Sequence, residues 1–410
     1  MLPVRDAAEE VETLRGLWWL IAPVVIIALL VIQLVRPVPA VELRPRTPAN
    51  FTVQGPPLNL PWPSRGQSAL AISGVGVVGS SGSKSPQPIA SLAKMMVAYL
   101  ILHDHPLGSG QNGPTITVTP ADAALYRTDA AGNQSVLPVV AGERLTERQM
   151  LEGLLLPSGN NIATMLAQWD AGSLSAFVAK MNTTAKALGM TNTHYADASG
   201  LSSATVSTAI DELKLAQAAM AIHTFASIVA LPQASLPVAG VVYNVNGFLG
   251  RSGIIGIKTG STSAAGGCFV VAANATVGTR TVLVLGAVLG QGGLQELNAA
   301  LTAGENLVNA ARRILTTAQP LKKGQVAAQL VVPWAPPVDV TVPTAPSFVG
   351  WQGFKGTTQV APTGGAARSV AAGAQVATLT VTLGQQRQSM PLKAPSSIPP
   401  PSLVWRLSRP

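Results

Sequence analysis

The chain has 410 residues, 11% of them charged and 47% hydrophobic, with a formal net charge of +9 and a single cysteine. That length allows one large domain and a smaller one. One cysteine excludes an intramolecular disulfide and a cysteine-based zinc site. No dense Lys/Arg stretch is interleaved with aromatics, so the positive balance suits anionic lipid or wall polymer rather than nucleic acid.

From the N-terminus, residues 1–15 precede "GLWWLIAPVVIIALLVIQLV" (16–35), a run without charges and almost wholly apolar. About 20 residues rising 1.5 Å each cross a bilayer core of ~30 Å. Trp18 and Trp19 sit at one end, where interfacial aromatics collect. The run is longer than the ~7–15 residues of a signal-peptide core. It therefore reads as an uncleaved single-pass anchor, with residues 1–15 on the cytoplasmic side. Residues 36–66 are proline-rich, which disfavours helix and predicts an extended polyproline stalk.

The globular part begins near Gln67 and runs to about residue 318. "SALAISGVGVVGSSG" (68–82) reads as a core strand. "PIASLAKMMVAYLIL" (88–102) opens a helix. Residues 146–169 read as two helices broken at Pro157–Ser158–Gly159, residues 173–190 as another, and residues 208–222 as a further one with Thr208 as N-cap. "GIIGIKTG", "GGCFVVAANA" and "RTVLVLGAVLG" (253–289) read as consecutive strands. Helices between one early strand and a late strand cluster predict a sheet completed by a distant segment, with helices on its faces. Residues 319–410 carry short β-like runs broken by Pro and Gly, and read as a small all-β domain.

Ser91 and Lys94 are three residues apart, so they share one face of an otherwise greasy helix, about 4.5 Å apart along its axis. A serine hydroxyl is a poor nucleophile until a base takes its proton. A lysine is such a base only when neutral, which an apolar pocket or a second cation brings about. The helix start adds free N–H groups for a developing oxyanion. Ser-x-x-Lys alone arises about once by chance in a chain of this length. The weight comes from two further elements in order. "PSGNN" puts Ser158 and Asn160 at a helix break, and "IKTGST" puts Lys258, Thr259 and Gly260 at the end of a strand. This trio of motifs recurs in penicillin-binding proteins and class A β-lactamases. Lys258 offers a cation to a substrate carboxylate and lowers the pKa of Lys94. Gly260 lets a substrate backbone lie along the strand. Ser158 can shuttle a proton, and Asn160 can orient a peptide amide.

With these motifs the chain resembles the serine D-alanyl-D-alanine carboxypeptidases, the low-molecular-weight penicillin-binding proteins. The resemblance covers about residues 62–318, through "WPSRGQSALAI", "PIASLAKMMVAYLIL", "LLLPSGNNIA", "THYADASGL", "NGFLGRSGIIGIKTGSTSAAG" and "RTVLVLGAVLG". It implies an α/β (α+β) fold of the β-lactamase/DD-peptidase kind, helices around an antiparallel sheet. It implies that Ser91 is acylated by peptidoglycan stem peptides, with loss of the last D-alanine, and by β-lactam antibiotics, with no metal or cofactor. By motif, Ser91 is the nucleophile and Lys94 its base. Ser158 and Asn160 form the second element, and Lys258, Thr259 and Gly260 the third. The N–H groups of Ser91 and Ser261 would form the oxyanion hole. The substrate places the catalytic domain outside the cytoplasmic membrane.

Two departures stand out. The arginine that some relatives carry after the strand following KTG is absent from "GAVLGQGGLQELN", and the C-terminal "SLVWRLSRP" is too short for an amphipathic anchor. A β-lactamase would need a carboxylate for the deacylating water, and no Glu-x-x-x-Asn lies between Asn160 and Lys258. A silent wall-binding scaffold is the alternative of another class; the intact catalytic side chains oppose it. His103 and His105 in "HDH" are two apart and cannot share a helix face, so they read as a solvated helix end. Cys268 reads as a small buried hydrophobe, and Asp197 in "ADASGL" as part of a supporting turn.

Overall fold

A computed structural model describes the backbone of residues 7–365 and 367–409, and the side chains of those residues from Trp19 onward except Leu20. The chain divides into two compact units. One comprises Val53–Ala318 with Val349–Phe354; the other comprises Met1–Thr52, Gln319–Phe348 and Lys355–Pro410.

The first unit is built on a five-stranded antiparallel sheet. Its order is Ile254–Thr262, Gly266–Val277, Arg280–Gln291, Gln67–Ile72 and Gly76–Gly82. The early segment thus enters beside the last strand of the late cluster, Ile72 opposite Val284 and Gln67 opposite Leu289. Residues 68–82, expected as one strand, are two: a turn at residues 73–75, with Gly74 at φ +69°, folds them into a hairpin. Both faces of the sheet are covered, which is why its strands read as near-continuous apolar runs. Ala69, Ala71, Val270, Ala272 and Leu285 face one core with the buried side of helix Ala93–Asp104. Leu70, Ile72, Phe269, Val271 and Val284 face the other, against Leu307, Val308 and Ala311 of helix Glu296–Ile314.

The predicted break at 157–159 separates helices Glu147–Leu155 and Asn160–Ala171. The helix Ala209–Met220 starts at Thr208, whose hydroxyl accepts the Asp211 N–H. Among the described residues Ile254–Thr262 has one neighbour in the sheet, so it is an edge strand.

The second unit contains two antiparallel sheets. Glu42–Pro45, Val326–Val332 and Ala335–Thr341 form one; Asn50–Thr52, Lys355–Pro362, Gln375–Leu383 and Gln386–Lys393 form the other. Along Gln375–Leu383 every second side chain, Ala377, Leu379, Val381 and Leu383, is buried, the period of a half-buried strand. The segment 36–66 is therefore not an extended stalk along its length. Glu42–Pro45 and Asn50–Thr52 are both edge strands, where proline's missing N–H does no harm to a ladder.

Helix Ala7–Val35 contains residues 16–35, where the anchor is expected. Residues 1–6 of the expected cytoplasmic end, with Arg5, lie outside the described residues, as does the Trp18 side chain. Among the described residues no helix is long and apolar enough to cross a membrane.

Candidate active site

Ser91 lies in a short 3-10 turn, Ala90–Leu92, that leads into helix Ala93–Asp104. Ala90 has φ +49°, the left-handed region an L-residue rarely adopts. The turn is wedged between two backbones. A Cβ on Gly200 would stand 1.8 Å from the Ala90 carbonyl oxygen, and one on Gly260 would stand 2.8 Å from the Ser91 nitrogen. Only glycine permits approaches this close. The loop and the KTG strand together hold the serine turn in its strained shape.

Lys94 is fully buried one turn on. Its Nζ stands 2.8 Å from Ser91 Oγ, 2.6 Å from Asn160 Oδ1 and 3.0 Å from the Ser199 carbonyl oxygen. Burial, and next the charge of Lys258, drive its pKa well below the ordinary lysine value, while Asp197 pulls the other way. Two of the three neighbours are carbonyl oxygens, which only accept. In the neutral amine these two would take the N–H hydrogens, and the nitrogen lone pair would be left for the serine hydroxyl. That is the arrangement a general base requires.

Asn160 begins the helix after the break, and its orientation is fixed from behind. Its Nδ2 donates to Gln134 Oε1 at 2.9 Å and its backbone N–H to the Ser135 carbonyl at 2.8 Å. Its neighbour Asn161 binds both the N–H and the carbonyl of Leu137. Gln134 carried no sequence signal, being one polar loop residue among several. Asp197 is the organiser of the 197–205 loop. It accepts from the Ser199 hydroxyl at 2.6 Å, the Gly200 and Leu201 N–H groups at 2.8 and 3.0 Å, and the Thr205 hydroxyl at 2.5 Å. The supporting turn expected at "ADASGL" thus delivers the Ser199 carbonyl to Lys94.

The KTG strand brings Lys258, Thr259 and Gly260 beside the serine turn. Lys258 and Thr259 are buried, and burial brings the Lys258 pKa down to about 7. The Lys258 Nζ donates to the Thr259 carbonyl at 2.9 Å. Ser261, next along, is exposed, and its hydroxyl donates to Glu296 Oε1 at 2.6 Å. Ser158 is placed differently from its fellows. It is buried at φ +67°, and its hydroxyl has no hydrogen-bond partner among the described residues. The structure thus joins Ser91, Lys94 and Asn160 by hydrogen bonds, sets Gly260 against them, and leaves Ser158 unbonded.

The other tempting residues are accounted for by packing. His103 pairs with Asp104 and His105 with Asp170, closing helix ends. Cys268 is buried opposite Gly260, and burial pushes its thiol up to about 12.

A mixed sheet-and-helix unit with a buried lysine beside a serine on a helix start has the architecture of the serine peptidases that use lysine where others use histidine. The sequence profile of D-alanyl-D-alanine carboxypeptidase, peptidase family S11, matches residues 71–289. That is more than half of the chain, and the chain belongs to this family. It is 39% identical over 205 residues to the D-alanyl-D-alanine carboxypeptidase DacB2 of Mycobacterium tuberculosis, covering 48% of this chain and 66% of that protein. It is 38% identical over 170 residues to the D-alanyl-D-alanine carboxypeptidase of Streptomyces sp. K15, covering 37% of this chain and 58% of that one. The chain thus spans just under two thirds, or less, of the length of these relatives. The crystal structure of the Streptomyces K15 DD-transpeptidase superposes with a TM-score of 0.52 at 28% identity, over 63% of this chain and 98% of that one.

Proposed function

We propose that this chain is a serine DD-carboxypeptidase. It removes the terminal D-alanine from peptidoglycan stem peptides through an acyl-enzyme on Ser91, and penicillins acylate the same serine. The observation that carries this reading is the fully buried Lys94 amine, its Nζ 2.8 Å from Ser91 Oγ. Lys94 takes the hydroxyl proton as Ser91 Oγ attacks the penultimate D-alanine carbonyl. The oxyanion forms against the N–H groups of Ser91 and Ser261. The peptide C–N bond breaks, the departing D-alanine nitrogen takes a proton, and water then hydrolyses the ester. Lys258 and Thr259 hold the substrate carboxylate, Asn160 orients the peptide, and Ser158 relays the proton to the leaving nitrogen. The unpartnered Ser158 hydroxyl is in keeping with a group whose partner arrives with the substrate.

The same reading includes a membrane anchor at residues 16–35 with the catalytic unit outside the cytoplasm. What supports it is the uncharged apolar run within helix Ala7–Val35 and the exposure of its large apolar side chains, such as Val24, Ile27 and Leu29. Protease added to intact spheroplasts should digest the catalytic unit; full protection would place it inside.

The enzymatic reading is tested by mass spectrometry after incubation with penicillin. One adduct is expected, on Ser91, and none on Ser91→Ala at unchanged melting temperature. An adduct that persists in that variant refutes the assignment of the nucleophile.

A further inference from the structure

We infer that the open cavity beside Ser261 is a subsite for a cationic side chain in the acyl part of the substrate, with Glu296 as its specificity-determining residue. The inference rests on the carboxypeptidase reading, because that reading sets the direction of the bound peptide. Lys258 and Thr259 take the terminal carboxylate and the Ser261 N–H takes the carbonyl being attacked. The peptide upstream of that carbonyl therefore continues past Ser261, away from Lys258.

An open cavity of about 560 Å³ lies there, with Ser261, Leu294, Glu296, Leu297, Asn298 and Leu301 in its wall. Among the described residues no lysine, arginine or histidine lines it, and Glu296 is its one charged group. The Glu296 carboxylate is fixed rather than free to wander. It sits in the first turn of helix Glu296–Ile314 and accepts the Ser261 hydroxyl through Oε1 at 2.6 Å. Oε2 makes no hydrogen bond among the described residues, so one oxygen remains to receive a ligand.

The remaining wall decides the ligand's shape. Leu294 is fully exposed and Leu297 partly so, an apolar surface with a carboxylate at one end. An aliphatic stem ending in an ammonium covers apolar surface while its tip meets the charge. The fitting substrate is a D-Ala-D-Ala peptide preceded by a diamino residue whose side-chain amine is free. A neutral or acylated amine loses the charge pairing, and an acidic side chain meets like charge.

The test compares two peptides, Nα-acetyl-L-Lys-D-Ala-D-Ala and its Nε-acetylated form, by kcat/KM for release of D-alanine. A partly exposed pair contributes modestly, so a preference of roughly fivefold for the free amine is expected. It should shrink as salt screens the pair. In Glu296→Gln, which keeps an oxygen for the Ser261 hydroxyl, the ratio should fall to about one. The readout is a ratio, so any general loss of activity cancels. A wild-type ratio near one, or a ratio unchanged in the variant, overturns the proposal. An unchanged ratio with both rates lowered would show that Glu296 only positions Ser261. If neither peptide loses D-alanine, the carboxypeptidase reading fails, and the subsite with it.

Discussion

Replacing Asp197 by asparagine separates the two duties of the loop that faces Lys94. Asp197 holds the loop by accepting four hydrogen bonds, two from backbone N–H groups and two from hydroxyls. It also raises the pKa of Lys94 against the larger effects of burial and Lys258. Asparagine keeps the shape, but it puts an N–H₂ where one of the two acceptor oxygens was. Hydrogen bonds to a charged group contribute about 1.5–3 kcal/mol each. The side chain is half-buried and water can replace some of them, so a total loss of about 3 kcal/mol is expected. At roughly 2–4 °C per kcal/mol for a unit of this size, the melting temperature should drop by roughly 6–12 °C. The electrostatic duty has its own sign. Without the carboxylate, the Lys94 pKa falls further, and the neutral base persists to lower pH. The acid limb of the kcat/KM profile should therefore move to lower pH even as kcat drops, because the Ser199 carbonyl is less well held. Thermal unfolding and a pH–rate profile on a D-Ala-D-Ala peptide measure both. An acid limb that moves to higher pH, or a melting temperature unchanged within a degree, refutes the reasoning.

Gly260→Ala sets a methyl group 2.8 Å from the Ser91 nitrogen and 3.1 Å from the Ala90 Cβ. Neither neighbour can rotate away, so the KTG strand or the serine turn must shift. Penicillin acylation should slow roughly a hundredfold, the scale of a misplacement near 1 Å; a stopped-flow rate within threefold of wild type would sink this account. Glu212 is fully buried, and burial raises its pKa from 4.5 to about 7, with the Ser207 hydroxyl opposing and Asp211 adding to the rise. The folded state then holds a proton that the unfolded state releases between about pH 4.5 and 7. Stability from this group is greatest below 4.5 and falls as pH rises to 7, by about 3 kcal/mol. Urea unfolding of Glu212→Gln should show a shallower fall between pH 5 and 8 than wild type. Part of the slope should remain through Glu147, whose pKa burial also raises to about 7. Equal slopes in the two proteins would assign the effect elsewhere.

What the sequence revealed and what it hid divide along the length scale of the interactions. Ser91 and Lys94 were legible because helix geometry alone brings positions three apart onto one face. The helix break at 157–159 and the KTG strand were legible because local residue chemistry marks them. The 73–75 turn was missed because a Gly/Val/Ser run carries no strong periodicity in either direction. The pairing of Glu42 with Val331 and of Phe51 with Gly356 spans about three hundred residues, and nothing local names the partner. Composition could say only that the segment resists helix, and an extended chain pairs as readily as it stays free. Gln134 and Glu296 were hidden for the same reason. Each is an ordinary polar residue whose role comes from the atom the fold sets against it, the Asn160 amide in one case and the Ser261 hydroxyl in the other.

The site also shows why its strain and its chemistry belong together. Ala90 is in the left-handed region, and two glycine backbones press against the turn that contains it. Non-glycine residues held in such conformations cost about 1–3 kcal/mol and persist only where the surroundings over-determine them. Here the surroundings are the elements that also supply the chemistry. The 197–205 loop offers the Ser199 carbonyl to Lys94, and the KTG strand brings the Lys258 charge that lowers the Lys94 pKa. Loosening either element both relaxes the turn and changes the base. Relief of strain should therefore not be available without loss of nucleophile activation, which makes stabilising substitutions in the 89–91 turn the ones expected to cost activity.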